Sequence, residues 1–237
     1  MPTDLIDLVV VMPVYNEEAV LAHTVESWLA VLDDLGVDYR LLVLNDGSRD
    51  GTGEVVARLA DHPRVEGITK QNEGHGPTIL RGYRDAVQRS AWVFQVDSDD
   101  EMPATSFTSL WAERDRADAV FGYRTGREQT TDRKLITRIA RLTTRLAYGC
   151  RLRDVNTPYR LMRAEVLAPI VEQIPADTFA PNVVISGALA RTGARVVEVP
   201  VPHVPRSTGE VSIIGMKALK AAARSFLQSI RLARRFS

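Results

Sequence analysis

This chain of 237 residues carries one cysteine, Cys150, and its 30 Lys and Arg balance its 30 Asp and Glu. A single cysteine excludes an intramolecular disulfide, and a reducing, cytosolic compartment is the natural expectation. No apolar run is long enough to cross a bilayer and no signal peptide is apparent, so the expected location is cytoplasmic, at most peripheral on the inner face of the cell membrane. The first apolar run is not followed by GxGxxG, and no Walker phosphate loop occurs. A dinucleotide-binding oxidoreductase and a P-loop nucleotidase are both disfavoured. Internal repeats and low-complexity linkers are missing too. Aromatic residues do not interleave the basic stretches, so no nucleic-acid partner is expected.

What remains is an ordinary globular composition, 45% hydrophobic and 25% charged, enough for one large domain or two small ones. The charge is unevenly placed. Residues 124 to 163 hold eleven Lys or Arg against three acids, and residues 206 to 237 hold seven against one. The rest of the chain is correspondingly acidic, an arrangement suited to handling phosphates on two sides.

Apolar runs at residues 5 to 12, 40 to 45, 64 to 69, 92 to 97 and 118 to 122 alternate with helical patterns. This implies βαβ units and a mostly parallel α/β sheet flanked by helices. Ligands in such sheets bind beyond the carboxyl ends of the strands, where Asn16-Glu17, Asn45-Asp46 and the Asp97 to Glu101 cluster all fall. The expected organisation is a catalytic domain over 1–213, with 1–123 binding the donor and 124–213 the acceptor, followed by a basic amphipathic helix over 214–237. Lys134, Arg138, Arg141 and Arg145 form one cationic stripe beside Leu135, Ile139, Leu142 and Leu146. Lys217, Lys220, Arg224, Gln228, Arg231 and Arg235 form a second, with Leu219, Ala223, Phe226 and Ile230 on the opposite side. Both helices read either as membrane-surface elements or as surface helices packed on the domain.

The run Trp92-Val93-Phe94-Gln95-Val96 ends in four acids within five positions, Asp97, Asp99, Asp100 and Glu101. Such a cluster is unfavourable without a cation, and hard carboxylate oxygens suit magnesium or manganese. The alternative is a helix cap ahead of Pro103. For Asn16 and Ser48 the alternative is likewise capping, and His75 is expected to be a local hydrogen-bonding residue.

A set of segments resembles family 2 glycosyltransferases of the GT-A fold: Val10 to Glu18, Leu44 to Thr52, Asn72 to Gly76, Gln95 to Asp99, Asp154 to Arg160 and Arg206 to Glu210. The last two pull the resemblance towards the dolichyl- and polyprenyl-phosphate sugar transferases. The resemblance implies a nucleoside diphosphate sugar as donor. Asp46 would recognise the base, with Pro13, Tyr15, Glu17 and Ser48 lining the nucleotide pocket. Asp97 and Asp99 match the family's Asp-x-Asp, with Glu101 standing where many lipid-phosphate members have Gln. Together they would hold a Mg²⁺ or Mn²⁺ ion against the donor diphosphate.

Many family members place an acidic pair late in the domain as a base for a hydroxyl acceptor, whereas this chain has Phe179-Ala180-Pro181-Asn182-Val183, with only Asp177 nearby. A phosphate acceptor needs no base, because its nucleophilic oxygen is already anionic near neutral pH. It needs cations, and Arg124, Arg160 and Arg206 are the candidates, with Asp154 orienting an arginine. Two departures stand out. The Gly-Glu-Ser-Lys usual after the late arginine is Gly209-Glu210-Val211-Ser212 here, and where many relatives carry spanning helices after the catalytic domain an amphipathic helix is expected instead. The expected activity is inverting, metal-dependent transfer of a hexose to polyprenyl phosphate, with peripheral contact to a membrane or a membrane protein. The alternatives are a hydroxyl acceptor on a glycan or secondary metabolite, with Asp177 as base, and a non-catalytic sugar-nucleotide-binding subunit.

Overall fold

In the computed structural model, residues 5–126, 138, 142, 144–204 and 227–236 are described. Strand β1 (Ile6–Val14) leads to helix α1 (Leu21–Asp34), β2 (Tyr39–Asn45), α2 (Thr52–Leu59), β3 (Val65–Thr69), α3 (His75–Ala86) and β4 (Ser90–Gln95). Helix α4 (Phe107–Ala112) and β5 (Ala119–Thr125) follow. Beyond them lie β6 (Arg160–Arg163), α5 (Ala164–Gln173), α6 (Pro181–Arg191) and β7 (Val196–Pro202). All seven strands form one sheet in the order β3-β2-β1-β4-β6-β5-β7. Only β6 runs against its neighbours.

The expected α/β sheet is therefore present, and the five anticipated strands each lie within a few residues of their apolar runs. Strands β6 and β7 were not anticipated. The first has only four residues with arginine at both ends, and the second contains two prolines.

Alternate residues of β1 go to opposite faces, as the period of two requires. Leu8, Val10, Met12 and Val14 join one core with Trp28, Phe94, Phe107 and Tyr159. Val9 and Val11 join the other, with Ile79, Leu80, Tyr83, Leu167 and Leu189 from α3, α5 and α6. On the first face Trp28, Phe94, Phe107 and Tyr159 stack with centroid separations from 4.6 Å (Phe94–Phe107) to 5.9 Å (Trp28–Tyr159), making the base of β4 rigid.

The first apolar run stops at residue 12, but β1 continues through Pro13 to Val14, which pairs with Asn45. The reason is local. Backbone groups of Val11 face β4, where Val96 N–H bonds the Val11 carbonyl, and two residues on Pro13 faces the same way. Pairing with β4 stops at Val11 and Gln95, so the amide hydrogen that proline lacks has no ladder to complete.

The strand order reverses around β1, with β2 on one side and β4 on the other, which is where an open α/β sheet leaves a crevice at the strand carboxyl ends. Since β5 and β7 run the same way as β4, their ends reach this edge too, and antiparallel β6 starts there.

Much of both expected amphipathic helices lies outside the described residues, including Lys134, Leu135, Ile139, Arg141, Lys217, Leu219, Lys220, Ala223, Arg224 and Phe226. Where they are described, residues 144–148 and 227–233 are helical. Ile230, assigned by periodicity to the face opposite the arginines, is 40% exposed; Ser229, Leu232, Ala233 and Phe236 are the buried residues. The buried positions keep the i, i+3, i+4, i+7 spacing of a helix face, displaced by one residue from Ile230.

Candidate active site

Two polar groups flank the end of β1. On the β2 side the turns 14–18 and 45–52 are bonded together. Asn16 sits at φ 54°; its N–H donates to Ser48 Oγ and its Oδ1 accepts from Arg49 N–H, both at 2.9 Å. Ser48 in turn donates to Asn45 Oδ1 through N–H (3.0 Å) and hydroxyl (2.6 Å). Glu17 is buried, its N–H on Thr52 Oγ1 at 2.9 Å. Neither Asn16 nor Ser48 caps a helix, since the N-cap positions of α1 and α2 are Val20 and Gly51, which make no side-chain cap bond. Tyr15 is left 38% exposed at the rim, where its ring is available to a base.

Asp46, just beyond β2, is buried. Lys70 Nζ donates to its Oδ1, and the N–H groups of Glu73 and Gly74 donate to Oδ1 and Oδ2 at 2.9 and 2.8 Å. Burial alone would push this carboxyl up, but the Lys70 hydrogen bond and the Glu73 amide outweigh it and hold the group below the usual carboxylate range. Lys70 also reaches Glu73 Oε2 at 2.9 Å. The loop 70–74 comes close because Gly47, at φ 65°, has no Cβ; one there would sit 2.7 Å from Asn72 N. Lys70 escaped the sequence reading, although its place directly after β3 at the carboxyl edge marked it.

On the β4 side a cleft is lined by Val96, Asp97, Asp99, Glu101, Met102, Arg124 and Pro158. Asp97 Oδ1 accepts from Gln95 Nε2 at 3.2 Å, with His75 Nε2 at 3.6 Å. Asp99 Oδ1 accepts the Glu101 N–H at 3.2 Å, turning the backbone through Asp100 at φ 54°. The capping alternative fails: the 3₁₀ turn Ala104–Ser106 follows Pro103 with no side-chain cap.

Glu101 is held differently from the two aspartates. Its Oε2 lies 3.0 Å from His203 Nε2, and its carbonyl accepts Val204 N–H at 2.8 Å, because the end of β7 closes against it. Among the described residues no group of three or more His, Cys, Asp and Glu is gathered to hold a metal. Glu101 lines the same cleft as Asp97 and Asp99, with Oε2 turned to His203. Two carboxylates on an open cleft still fit magnesium or manganese, which are commonly held by one or two carboxylates and completed by substrate phosphates.

The three arginines part company. Arg124 lines the cleft with Asp97 and Asp99, and Asp154 clamps it from behind: Nε and Nη2 reach the Asp154 oxygens at 2.8 and 3.2 Å. Asp154 orients an arginine, as expected. Arg160, taken as a phosphate ligand, is fully buried. It donates to the carbonyls of Thr157 (2.9 Å), Asn182 (3.1 Å) and Val155 (3.3 Å) and lies over the Phe121 ring. Its guanidinium is consumed by the fold, and burial lowers its pKa from the ordinary arginine value. Arg206 lies outside the described residues.

Residues 9–170 match the family described as Glycosyl transferase family 2, and the chain belongs to it. The chain is 30% identical over 205 residues to the undecaprenyl-phosphate 4-deoxy-4-formamido-L-arabinose transferase of Shewanella sediminis (strain HAW-EB3), covering 85% of this chain and 60% of that protein. It is 31% identical over 214 residues to the undecaprenyl-phosphate mannosyltransferase of Micrococcus luteus, covering 86% of both. The chain thus spans about 60% of the length of the arabinose-type relatives. Glucosyl-3-phosphoglycerate synthase from Mycobacterium tuberculosis, solved with Mn²⁺, UDP-glucose and phosphoglyceric acid, shares the fold: TM-score 0.70 at 18% identity, covering 97% of this chain and 80% of that one.

Proposed function

We propose that the chain transfers a hexose from a nucleoside diphosphate sugar to a polyprenyl phosphate, with inversion and with a divalent metal bound at the donor diphosphate. The observation that carries this reading is the cleft itself, where Asp97 and Asp99 face the same space as Arg124. The names of the Shewanella and Micrococcus relatives, both undecaprenyl-phosphate transferases, point to the acceptor class, and the Mn²⁺ and UDP-glucose of the mycobacterial structure to the donor and metal.

Tyr15, Glu17, Asp46, Ser48 and Lys70 would hold the nucleoside at the β2 side, and Asp97 and Asp99 the metal and diphosphate at the β4 side. A bound divalent ion would supply positive charge to the departing diphosphate. Arg124, held rigid by Asp154, would bind the acceptor phosphate through its fork. An anionic acceptor oxygen forms the new bond to the anomeric carbon, while the carbon–oxygen bond to the diphosphate breaks and its electron pair leaves with the diphosphate. No proton needs to move. That agrees with Asn182, which is buried and neutral, and with Asp177, which is exposed and does not line the cleft.

Peripheral membrane contact is part of the same reading. Leu142, Leu146, Leu227 and Ile230 are 57%, 76%, 54% and 40% exposed, with Arg138, Arg145 and Arg231 exposed near them in sequence, a composition suited to an anionic bilayer surface. Among the described residues no helix is long and apolar enough to cross a membrane.

The test is incubation with a panel of nucleotide sugars, Mn²⁺ and a short polyprenyl phosphate, with mass detection of a lipid-linked sugar. Formation of a glycosylated soluble alcohol instead would overturn the phosphate acceptor. No transfer with any donor would favour a non-catalytic binding subunit.

A further inference from the structure

Directly beneath the cleft lies a buried polar network that the reaction as described does not use. Gln95, the last residue of β4, is completely buried and pairs in register with Val11 and Arg160. Its neighbour two residues back, Val93, belongs to the apolar core under α3 and α6. A hydrophobic residue would suit that environment, and a buried amide is unfavourable there unless every polar atom is bonded.

Every one is. Oε1 accepts from Tyr83 Oη and from Asn182 Nδ2, both at 2.8 Å, and Nε2 donates to Asp97 Oδ1 at 3.2 Å. Tyr83 Oη also lies 3.1 Å from Asn182 Oδ1, and the Asn182 carbonyl is held by Arg160. Three elements, α3, α6 and β6, thus brace one amide at the end of a fourth.

The chemistry fixes which way the amide points. An ionised carboxylate only accepts, and an amide offers donors at one end and an acceptor at the other. If Gln95 and Asn182 both turned over, Asn182 would still find a partner, but Gln95 Oε1 would face the Asp97 carboxylate, acceptor against acceptor. Asp97 therefore selects the orientation, and Asn182 returns the constraint by occupying the far end.

We infer that Gln95 is a positioning residue for Asp97: its amide, oriented by Asn182, pins Oδ1 and thereby sets the direction in which the carboxylate faces the cleft. The inference deepens the proposed function and rests on Asp97 serving the metal and diphosphate. Outer groups that orient metal-binding carboxylates in this way typically contribute 10- to 100-fold to metal affinity.

Two variants separate positioning from simple stabilisation. Gln95→Met keeps the volume but removes the donor to Asp97, whereas Tyr83→Phe removes one hydrogen bond of the same network without facing Asp97. Calorimetric titration of Mn²⁺ in the presence of UDP or GDP should show Q95M weakened about tenfold and Y83F close to the parent, while both melt at lower temperature. Equal losses in the two variants, or parent-like Mn²⁺ binding by Q95M, would overturn the inference. If the parent itself bound no Mn²⁺ with either nucleotide, the metal reading of Asp97 would fall instead. A crystal structure of Q95M then decides the positioning directly: a changed Asp97 side-chain torsion upholds it, and an unchanged one removes it.

Discussion

Arg124 and Asp154 form a two-point ion pair, Nε and Nη2 on the two carboxylate oxygens at 2.8 and 3.2 Å, with both side chains less than one-fifth exposed. The pair joins the end of β5 to the loop before β6 and fixes the guanidinium at the cleft wall. Lysine cannot reproduce a planar fork. Arg124→Lys is therefore expected to lower kcat for lipid-phosphate glycosylation by about 10²-fold, the usual loss on removing one preorganised donor. Asp154→Asn should lose less, because one acceptor oxygen remains. Rates measured with saturating donor and a short polyprenyl phosphate check both. A Lys variant as fast as the parent would show that Arg124 is only a surface brace.

The Asp46–Lys70 contact makes a separate prediction on the donor side. Lys70→Ala should raise the KM for the nucleotide sugar more than it changes kcat, since the contact lies on the far side of β1 from Asp97. The same pair predicts a pH dependence of stability. The Asp46 carboxyl is held below its ordinary value, so its contribution is fully present above the usual carboxylate pKa near 4 and fades as pH falls through the lowered value. Urea denaturation between pH 7 and about pH 3 should show the parent losing stability towards acid more steeply than Asp46→Asn. Equal slopes would remove this contact from the acid sensitivity of the fold.

The first five strands were legible because they are apolar runs and the polar groups of the candidate site sit where those runs stop, as Asn45-Asp46 and Asp97 do. Strand β6 was not legible, since a four-residue strand bounded by Arg160 and Arg163 carries no alternation. Arg160 was misplaced for a related reason. An arginine in a polar motif suggests an exposed phosphate ligand, and only the folded chain shows three carbonyls closing around it. The contact of Glu101 with His203 was not legible, because the two are 102 positions apart and His203 follows the unanticipated β7. Gln95 stood in plain view as the one polar residue in its run, yet its partners on α3 and α6 could not be inferred from spacing.

The burial of Arg160 leads to an outcome opposite to that of Arg124. Arg160→Met should leave the Thr157 carbonyl without its donor and take one donor from the carbonyls of Asn182 and Val155, the latter keeping Ser186 Oγ at 2.8 Å, and lower unfolding stability by about 1–3 kcal/mol, the usual cost of a buried group left unpaired. The protein that does fold should keep most of its kcat per active molecule. Denaturant unfolding beside active-site titration checks this. A stable R160M protein with transfer abolished would return Arg160 to the acceptor site.

Asp99 and Asp177 together separate the two acceptor chemistries. Asp99→Ala removes a carboxylate from the cleft without touching either hydrophobic core, so its melting temperature should stay near the parent's while transfer falls below about 1% of the parent rate, the loss expected when charge on the leaving group goes unopposed. Asp177→Asn removes the exposed carboxylate available as a base for a hydroxyl acceptor. If the acceptor is a phosphate, its oxygen is already anionic above about pH 6, and Asp177→Asn should change kcat by less than about twofold, within the scatter of surface substitutions. The informative comparison is the kcat profile from pH 5 to 8. With a phosphate acceptor, parent and Asp177→Asn should rise together as the acceptor ionises. A profile whose limb vanishes in Asp177→Asn would make that carboxylate the base and replace the phosphate acceptor with a hydroxyl.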